Sequence, residues 1–264
     1  MRRMRWLVGA LIVAGLSSGA QAADMPALRG SNSFVVGAPL RWDGLYFGAQ
    51  VGVSVTGADF TNATNALATM LVGGVINNVT AMPLGTDDRQ TSHFGGFVGY
   101  NTQWDEAVLG VEGNYNRYHA QMSATNTMAG TYTAADGSTN PYTANGLTAV
   151  RITDVGTFRV RGGWAAGNFM PYGFVGFAVA HAEIDRSVTT TLTPPAGAPA
   201  PAATTATTSE TGLFAYGWTA GLGLDFALMN NFFVRAEYEY VQFGDFQQVN
   251  MHMHNARVAA ALKF

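Results

Sequence analysis

Apolar and polar residues alternate one for one along much of this chain, a period that sends successive side chains to opposite faces of an extended strand. Phe158-Arg159-Val160-Arg161-Gly162-Gly163-Trp164 and Val234-Arg235-Ala236-Glu237-Tyr238-Glu239-Tyr240 are the clearest instances. In the first, Phe158, Val160 and Trp164 share one face while Arg159 and Arg161 share the other. The same period predicts eight strands, at about 45–54, 93–102, 108–118, 154–165, 172–182, 216–226, 232–241 and 251–264. Within them Leu45, Phe47, Val51 and Val53 oppose Tyr46 and Gln50, and Leu109, Val111 and Tyr115 oppose Glu112, Asn114 and Asn116. Trp218, Leu222 and Leu224 likewise oppose Thr219 and Asp225. One face is greasy and the other polar or ionic. That fits a soluble sheet with its charges in water, or a sheet with its greasy face in lipid.

The links separate these two readings. Long links at about 55–92, 119–153, 183–215 and 242–250 alternate with short ones at about 103–107, 166–171 and 227–231. An up-and-down barrel produces that alternation, with extended connections outside a membrane and tight turns on the other side. None of the nine prolines falls inside a predicted strand, and Pro171 sits just before the fifth, where a missing N–H costs least. Four prolines crowd into 194–201, within a Thr/Ala/Pro tract from about Val188 to Ser209 that reads as a mobile loop. The first long link holds an apolar patch, Met70 to Val75, expected to fold back over the mouth of the sheet. The long uncharged stretch Gly162 to Ala182 contains five glycines with Asn168 and Pro171 near its centre, which suits a turn between strands and not a helix.

Targeting and composition change the picture further. Arg2, Arg3 and Arg5, an uncharged run from Trp6 to Leu16 and the small-x-small triplet Ala20-Gln21-Ala22 make a secretory signal, cleaved after Ala22. The apolar run falls short of the roughly 20 residues a membrane-spanning helix needs. Three of the 14 basic side chains lie in that segment, so the rest carries 11 against 17 acidic ones, about six net negative charges, which argues against nucleic acid as a partner. Lys263 is the single lysine, and charged residues make up 12% of the chain, about half the usual share for a soluble protein. There is no cysteine, so an exported chain lacks disulfides and thiolate metal sites alike. With an export signal and no convincing helix, only a closed barrel satisfies every backbone group in lipid. The expectation is an all-β fold, an eight-stranded antiparallel up-and-down transmembrane β-barrel in the outer membrane of a Gram-negative cell. It divides into a signal peptide at 1–22, a periplasmic lead-in at 23–41 and the barrel at 42–264.

Trp42-Asp43-Gly44-Leu45-Tyr46-Phe47-Gly48, Gly110-Val111-Glu112-Gly113, Gly217-Trp218-Thr219-Ala220-Gly221-Leu222-Gly223 and Arg235-Ala236-Glu237-Tyr238 resemble motifs of the small porin-like outer-membrane β-barrel proteins of alphaproteobacteria, relatives of the OmpA-type barrel. The resemblance covers residues 42–264. It departs from the family pattern in the extended first link, the Pro/Thr/Ala third link and an alanine-rich last strand. It implies an abundant envelope protein, called a porin by descent more often than by measured conductance. Phe264, Leu262 and Val258 share a face of the last strand, and the terminal Phe resembles the signature read by the outer-membrane insertion machinery.

By parity, Glu112, Arg159, Arg161, Asp225, Arg235, Glu237, Glu239, Arg257 and Lys263 point inward. Four acids and five bases in an eight-stranded lumen imply an ion-pair network, since buried charges must be paired and hydrogen-bonded. A charged constriction that gates small solutes is the functional alternative. His252 and His254 share a face of the last strand near the outer rim, interleaved with Met251 and Met253. Two imidazoles so spaced suit a metal or haem iron, but no third ligand is identifiable, so neither metal nor cofactor is expected. His93, His119 and His181 fall at outer strand ends. Beyond the signal segment there is no G-x-S-x-G, H-E-x-x-H or phosphate loop, and no catalytic residue is assigned. Tyr100, Trp104, Tyr115, Trp164, Trp218 and Tyr238 suit interfacial girdles. The expected role is envelope integrity and surface presentation by long extracellular loops. The alternatives are a narrow passive pore and a ligand-binding receptor or adhesin. Outer-membrane lipid is the expected surrounding, and no oligomer is required to close an edge.

Overall fold

The computed structural model describes residues 40–64, 84–134, 136–195, 197–199, 203–244 and 248–264. They form β1 Gly44–Asp59, β2 Thr86–Trp104, β3 Ala107–Thr133, β4 Thr139–Trp164, β5 Phe169–Leu192, β6 Thr204–Met229, β7 Phe232–Phe243 and β8 Asn250–Lys263. Each strand is antiparallel to its neighbour in sequence, and β8 returns to β1 with Phe47 opposite Leu262 and Ala58 opposite Met251. The barrel is therefore closed, which leaves no sheet edge where all eight strands run together, whereas β3 beyond Tyr118 and β6 before Gly217 pair on one side only. The proposed signal at 1–22, nearly all of the 23–41 lead-in and the Met70–Val75 patch lie outside the described residues.

The two faces are inverted relative to a soluble sheet. Phe177 is 74% exposed, Tyr216 and Leu222 each 69%, and Phe158 58%, whereas Arg159 between outward Phe158 and Val160 is 1% exposed. A ring of large apolar side chains directed outward from all eight strands is far beyond what a soluble surface carries, and it matches the lipid-facing band of an outer-membrane barrel. Tyr100, Trp104, Tyr115, Trp164, Trp218 and Tyr238 all belong to this outward set.

Strand pairing runs much further than the alternation of strongly apolar residues indicates. β3, β4, β5 and β6 contain 27, 26, 24 and 26 residues, over twice the roughly 9–11 needed to cross a bilayer. The second and third long links are thus mainly continuations of these strands, and only 134–138 and 193–203 connect them. The Thr/Ala/Pro tract, expected as a loop, gives Val188–Leu192 to β5 and Thr204–Ser209 to β6. The reason is local. Threonine suits a pleated strand, and the inward positions Tyr132, Tyr142, Ala144 and Val188 bury one another in a small cluster. Two prolines also depart from expectation. Pro141 lies within β4 opposite Thr131, with its carbonyl accepting the Thr193 N–H at 2.9 Å, and Pro171 is the third residue of β5. Both sit near strand ends, where a missing donor is tolerated.

The short connections lie at the end where the first and last strands begin and finish. Asp105 in the two-residue β2–β3 turn has φ of +52°, the left-handed conformation that such hairpins require. This end is the periplasmic one, because tight turns face the periplasm in barrels of this architecture. Inside the barrel, Trp42, Tyr46, Phe97, Tyr172, Phe174 and Phe233 fill the periplasmic end. Phe60, Tyr118, Met122, Ile152, Phe243, Met251 and Met253 fill the outer end. The charges lie among the rings of the first cluster.

Candidate functional site

Four arginines and four carboxylates meet inside the barrel, all of them buried: Arg159, Arg161, Arg235 and Arg257 with Glu112, Asp225, Glu237 and Glu239. Strand register makes three pairs directly: Glu112 opposes Arg159 across β3 and β4, Asp225 opposes Arg235 across β6 and β7, and Glu237 opposes Arg257 across β7 and β8. Opposite charges at facing positions are the sheet's own way of pairing side chains. Other contacts cross the lumen. Arg159 reaches Glu237 at 2.7 Å, Arg235 reaches Glu112 at 2.8 Å, and Arg161 reaches Asp225 at 2.6 Å.

Glu112 is the hub. Its carboxylate accepts from Arg159 and Arg235, from Arg161 at 3.2 Å, from the Tyr46 hydroxyl at 2.7 Å and from Asn114 Nδ2 at 2.9 Å. Glu237 accepts from Arg159, Arg257 and the Tyr172 hydroxyl, the last at 2.5 Å. Glu239 accepts from Thr219 Oγ1 at 2.9 Å and Asn255 Nδ2 at 3.1 Å, and lies 2.9 Å from Arg257 Nη1. With four charges of each sign and several donors on each carboxylate, desolvation is offset by pairing.

Aromatic rings complete the cage. Arg161 lies over Tyr172 at 3.7 Å, Arg159 over Phe174 at 4.1 Å and Arg235 over Phe97 at 4.5 Å from the ring centroids. The flat guanidinium suits such stacking where a lysine ammonium would not. The rings fit because glycines face them. A Cβ on Gly223 would fall on the Tyr172 ring, and one on Gly99 on the Tyr46 hydroxyl. Above the ions, Gln50 Nε2 donates to Asn116 at 2.7 Å, and His93 stacks on Tyr118 at 4.6 Å.

Eight of the nine charges expected in the lumen therefore come together, and Lys263 does not join them. Its ammonium donates to the Arg41 carbonyl at the periplasmic rim. His93 is also misplaced by the expectation of an outer strand end: β2 continues past it to Thr86 and leaves it inside the lumen. His119 and His181 face outward on β3 and β5, and His181 lies 3.9 Å from Asp154. His252 and His254 face outward with Tyr238, whose hydroxyl is 2.7 Å from His254 Nδ1, while Met251 and Met253 are core. Among the described residues, no group of three or more metal-ligating side chains is assembled. Val258, Leu262 and Phe264 are exposed on the outward face, with Phe264 stacked on Phe47 at 5.5 Å. Sequence reasoning missed the cage formed by Tyr46, Tyr172, Phe97 and Phe174. Their inward parity was its only signal.

Known families contain a match to this chain. The family model described as "Outer membrane protein beta-barrel domain" matches residues 8–264. The 25 kDa outer-membrane immunogenic protein of Brucella ovis is 27% identical over 170 residues, covering 64% of this chain and 62% of that protein. Its counterpart in Brucella abortus is 27% identical over 151 residues, covering 57% and 52%. The chain thus spans less than two thirds of the curated relatives it matches. Among solved structures, Ail of Yersinia pestis aligns with a TM-score of 0.34 at 12% identity, covering 84% of this chain and 99% of that one. Neisserial surface protein A aligns with a TM-score of 0.35 at 13% identity, covering 83% and 97%. A match over nearly the whole chain, together with a closed eight-stranded sheet whose apolar face points outward, makes this an outer-membrane protein of the β-barrel domain family.

Proposed function

We propose that this protein is a closed barrel that anchors a surface projection in the outer membrane and supports the envelope, without conducting solutes. The observation that carries the reading is the filled lumen. A network of four arginines and four carboxylates is interleaved with the aromatic rings of the periplasmic half and followed by an apolar cluster toward the outer end. Eight strands leave an interior just wide enough for side chains to fill. The long β3–β6 hairpins are the part that meets the exterior, and the role calls for no catalytic step and no cofactor. Liposome swelling tests it. Vesicles carrying the refolded barrel should swell in small sugars no faster than protein-free vesicles, and swelling that scales with the protein would refute the closed reading.

The same proposal includes assembly through β8 by the insertion machinery, as a monomer whose sheet already closes on itself. Val258, Leu262 and Phe264 give β8 a lipid-facing stripe. Phe264→Ala should lower the fraction of heat-modifiable barrel recovered from membranes while leaving barrels refolded in detergent unaffected. Equal recovery from membranes would remove Phe264 from the signal.

A further inference from the structure

The lipid-facing surface is not uniform. At outward positions of β2, β3 and β4, Gly96, Gly113 and Gly156 leave an apolar groove of about 660 Å³, bordered by the exposed rings of Tyr115, Phe158 and Phe177. Register joins its parts: Gly96 opposes Tyr115, Gly113 opposes Phe158 and Tyr115 opposes Gly156. Just beyond it toward the outer end, β3 and β4 carry a second hollow of different chemistry. It measures about 310 Å³ and is lined by Arg117, His119, Gln121, Arg151 and Thr153. A bulge creates it. Tyr118 and His119 of β3 face Thr153 alone of β4, and such an extra residue re-aims the side chains around it.

No carboxylate lines this hollow, but two border it and partner its arginines loosely. Asp154 accepts from the Tyr115 hydroxyl at 2.5 Å and lies 3.9 Å from His181, and Glu183 is 3.8 Å from the half-exposed Arg151. Arg117 faces Asp154 across the strand pair, near enough for the two charges to attract, and a phosphate would compete with these exposed carboxylates for both guanidinium groups. Groove and basic hollow adjoin along the same two strands at the outer face of the barrel. An amphiphile of the outer leaflet meets both at once, with its tail in hydrocarbon and its head at the rim. Within hydrocarbon there is no hydrophobic gain to separate one lipid from another, so retention depends on close packing and on the headgroup. Guanidinium groups match phosphate in shape and charge.

We infer that this sector is a binding site for a phosphorylated, acylated lipid of the outer leaflet, with an acyl chain on the Gly96–Gly113–Gly156 floor and a phosphate between Arg117 and Arg151. The site rests on the barrel's embedding in the outer membrane and is independent of whether the lumen conducts. Barrel purified in detergent is titrated with lipid A, with lipid A stripped of its phosphates, and with inorganic phosphate, with binding read by native mass spectrometry. Lipid A should bind in a defined stoichiometry. Arg117→Gln with Arg151→Gln should weaken it by roughly tenfold or more, as loss of charge-assisted hydrogen bonds implies. Gly113→Leu with Gly156→Leu should also weaken it by filling the groove. These glycines are open, since an added Cβ meets nothing within 4 Å at Gly113 and its nearest atom at 3.9 Å at Gly156. Heat-modifiable migration verifies that both variants fold. Equal binding of the dephosphorylated lipid, full competition by inorganic phosphate, or folded variants that bind like the parent would each overturn the site.

Discussion

Glu112 is where the interior converges, because three guanidinium groups and a tyrosine hydroxyl share one carboxylate. Glu112→Gln leaves Arg159, Arg161 and Arg235 short of a counter-charge while fully buried. Removing one partner of a buried ion pair costs about 3–5 kcal/mol, and denaturant unfolding of the refolded barrel should register a loss of that order. Because the groups act as a unit, Glu112→Gln and Arg159→Met should be non-additive by about 0.5–3 kcal/mol in a double-mutant cycle. Simple additivity would contradict a connected network. Gly223→Val should destabilise by a different route, driving a methyl group into the Tyr172 ring. Overpacking of this kind costs about 1–3 kcal/mol, whereas the same change at outward Gly113 should be close to neutral by the same unfolding assay. The inward set was legible in the sequence because a period of two fixes the face of every residue from Phe158 to Trp164. The partners were not. Arg159 with Glu237 and Arg235 with Glu112 meet across the lumen from strands distant in sequence, and register between distant strands leaves no mark in local alternation.

At the scale of elements, the barrel is two structures in one set of strands. Near the periplasm all eight strands close around the ions, and further out β3 to β6 continue as paired hairpins with their own cluster of Tyr132, Tyr142, Ala144 and Val188. Strand number, order and lipid face were readable from the apolar positions, and strand ends were not. Beyond Tyr118 and before Asp154 the outward positions turn to Arg, His, Gln, Ser and Thr, so the pattern of greasy outward residues stops where lipid stops, although hydrogen bonding continues. Polar strand and polar loop look alike when neither face needs to be greasy. If the outer hairpin is a projection, replacing 126–146 by a two-residue Asn-Gly turn, which joins the paired Thr125 and Leu147, should leave the barrel heat-modifiable and resistant to protease in membranes. Failure to assemble would mean that the outer cluster is needed to close the membrane part.

For the whole molecule, the alternation of charged and apolar residues acquires its meaning only once inside and outside are assigned. Outward apolar side chains meet lipid, and inward charges pair with one another among aromatic and apolar side chains that fill the lumen. A lumen built in this way resembles the core of a soluble protein more than a channel, with ion pairs in place of part of the hydrophobic filling. Whether this core is shut is decided by planar-bilayer recording of the refolded, heat-modifiable barrel. A closed lumen gives a flat baseline at moderate voltage in concentrated salt. Reproducible unitary steps from the unaltered protein, with a fixed ion selectivity, would contradict it.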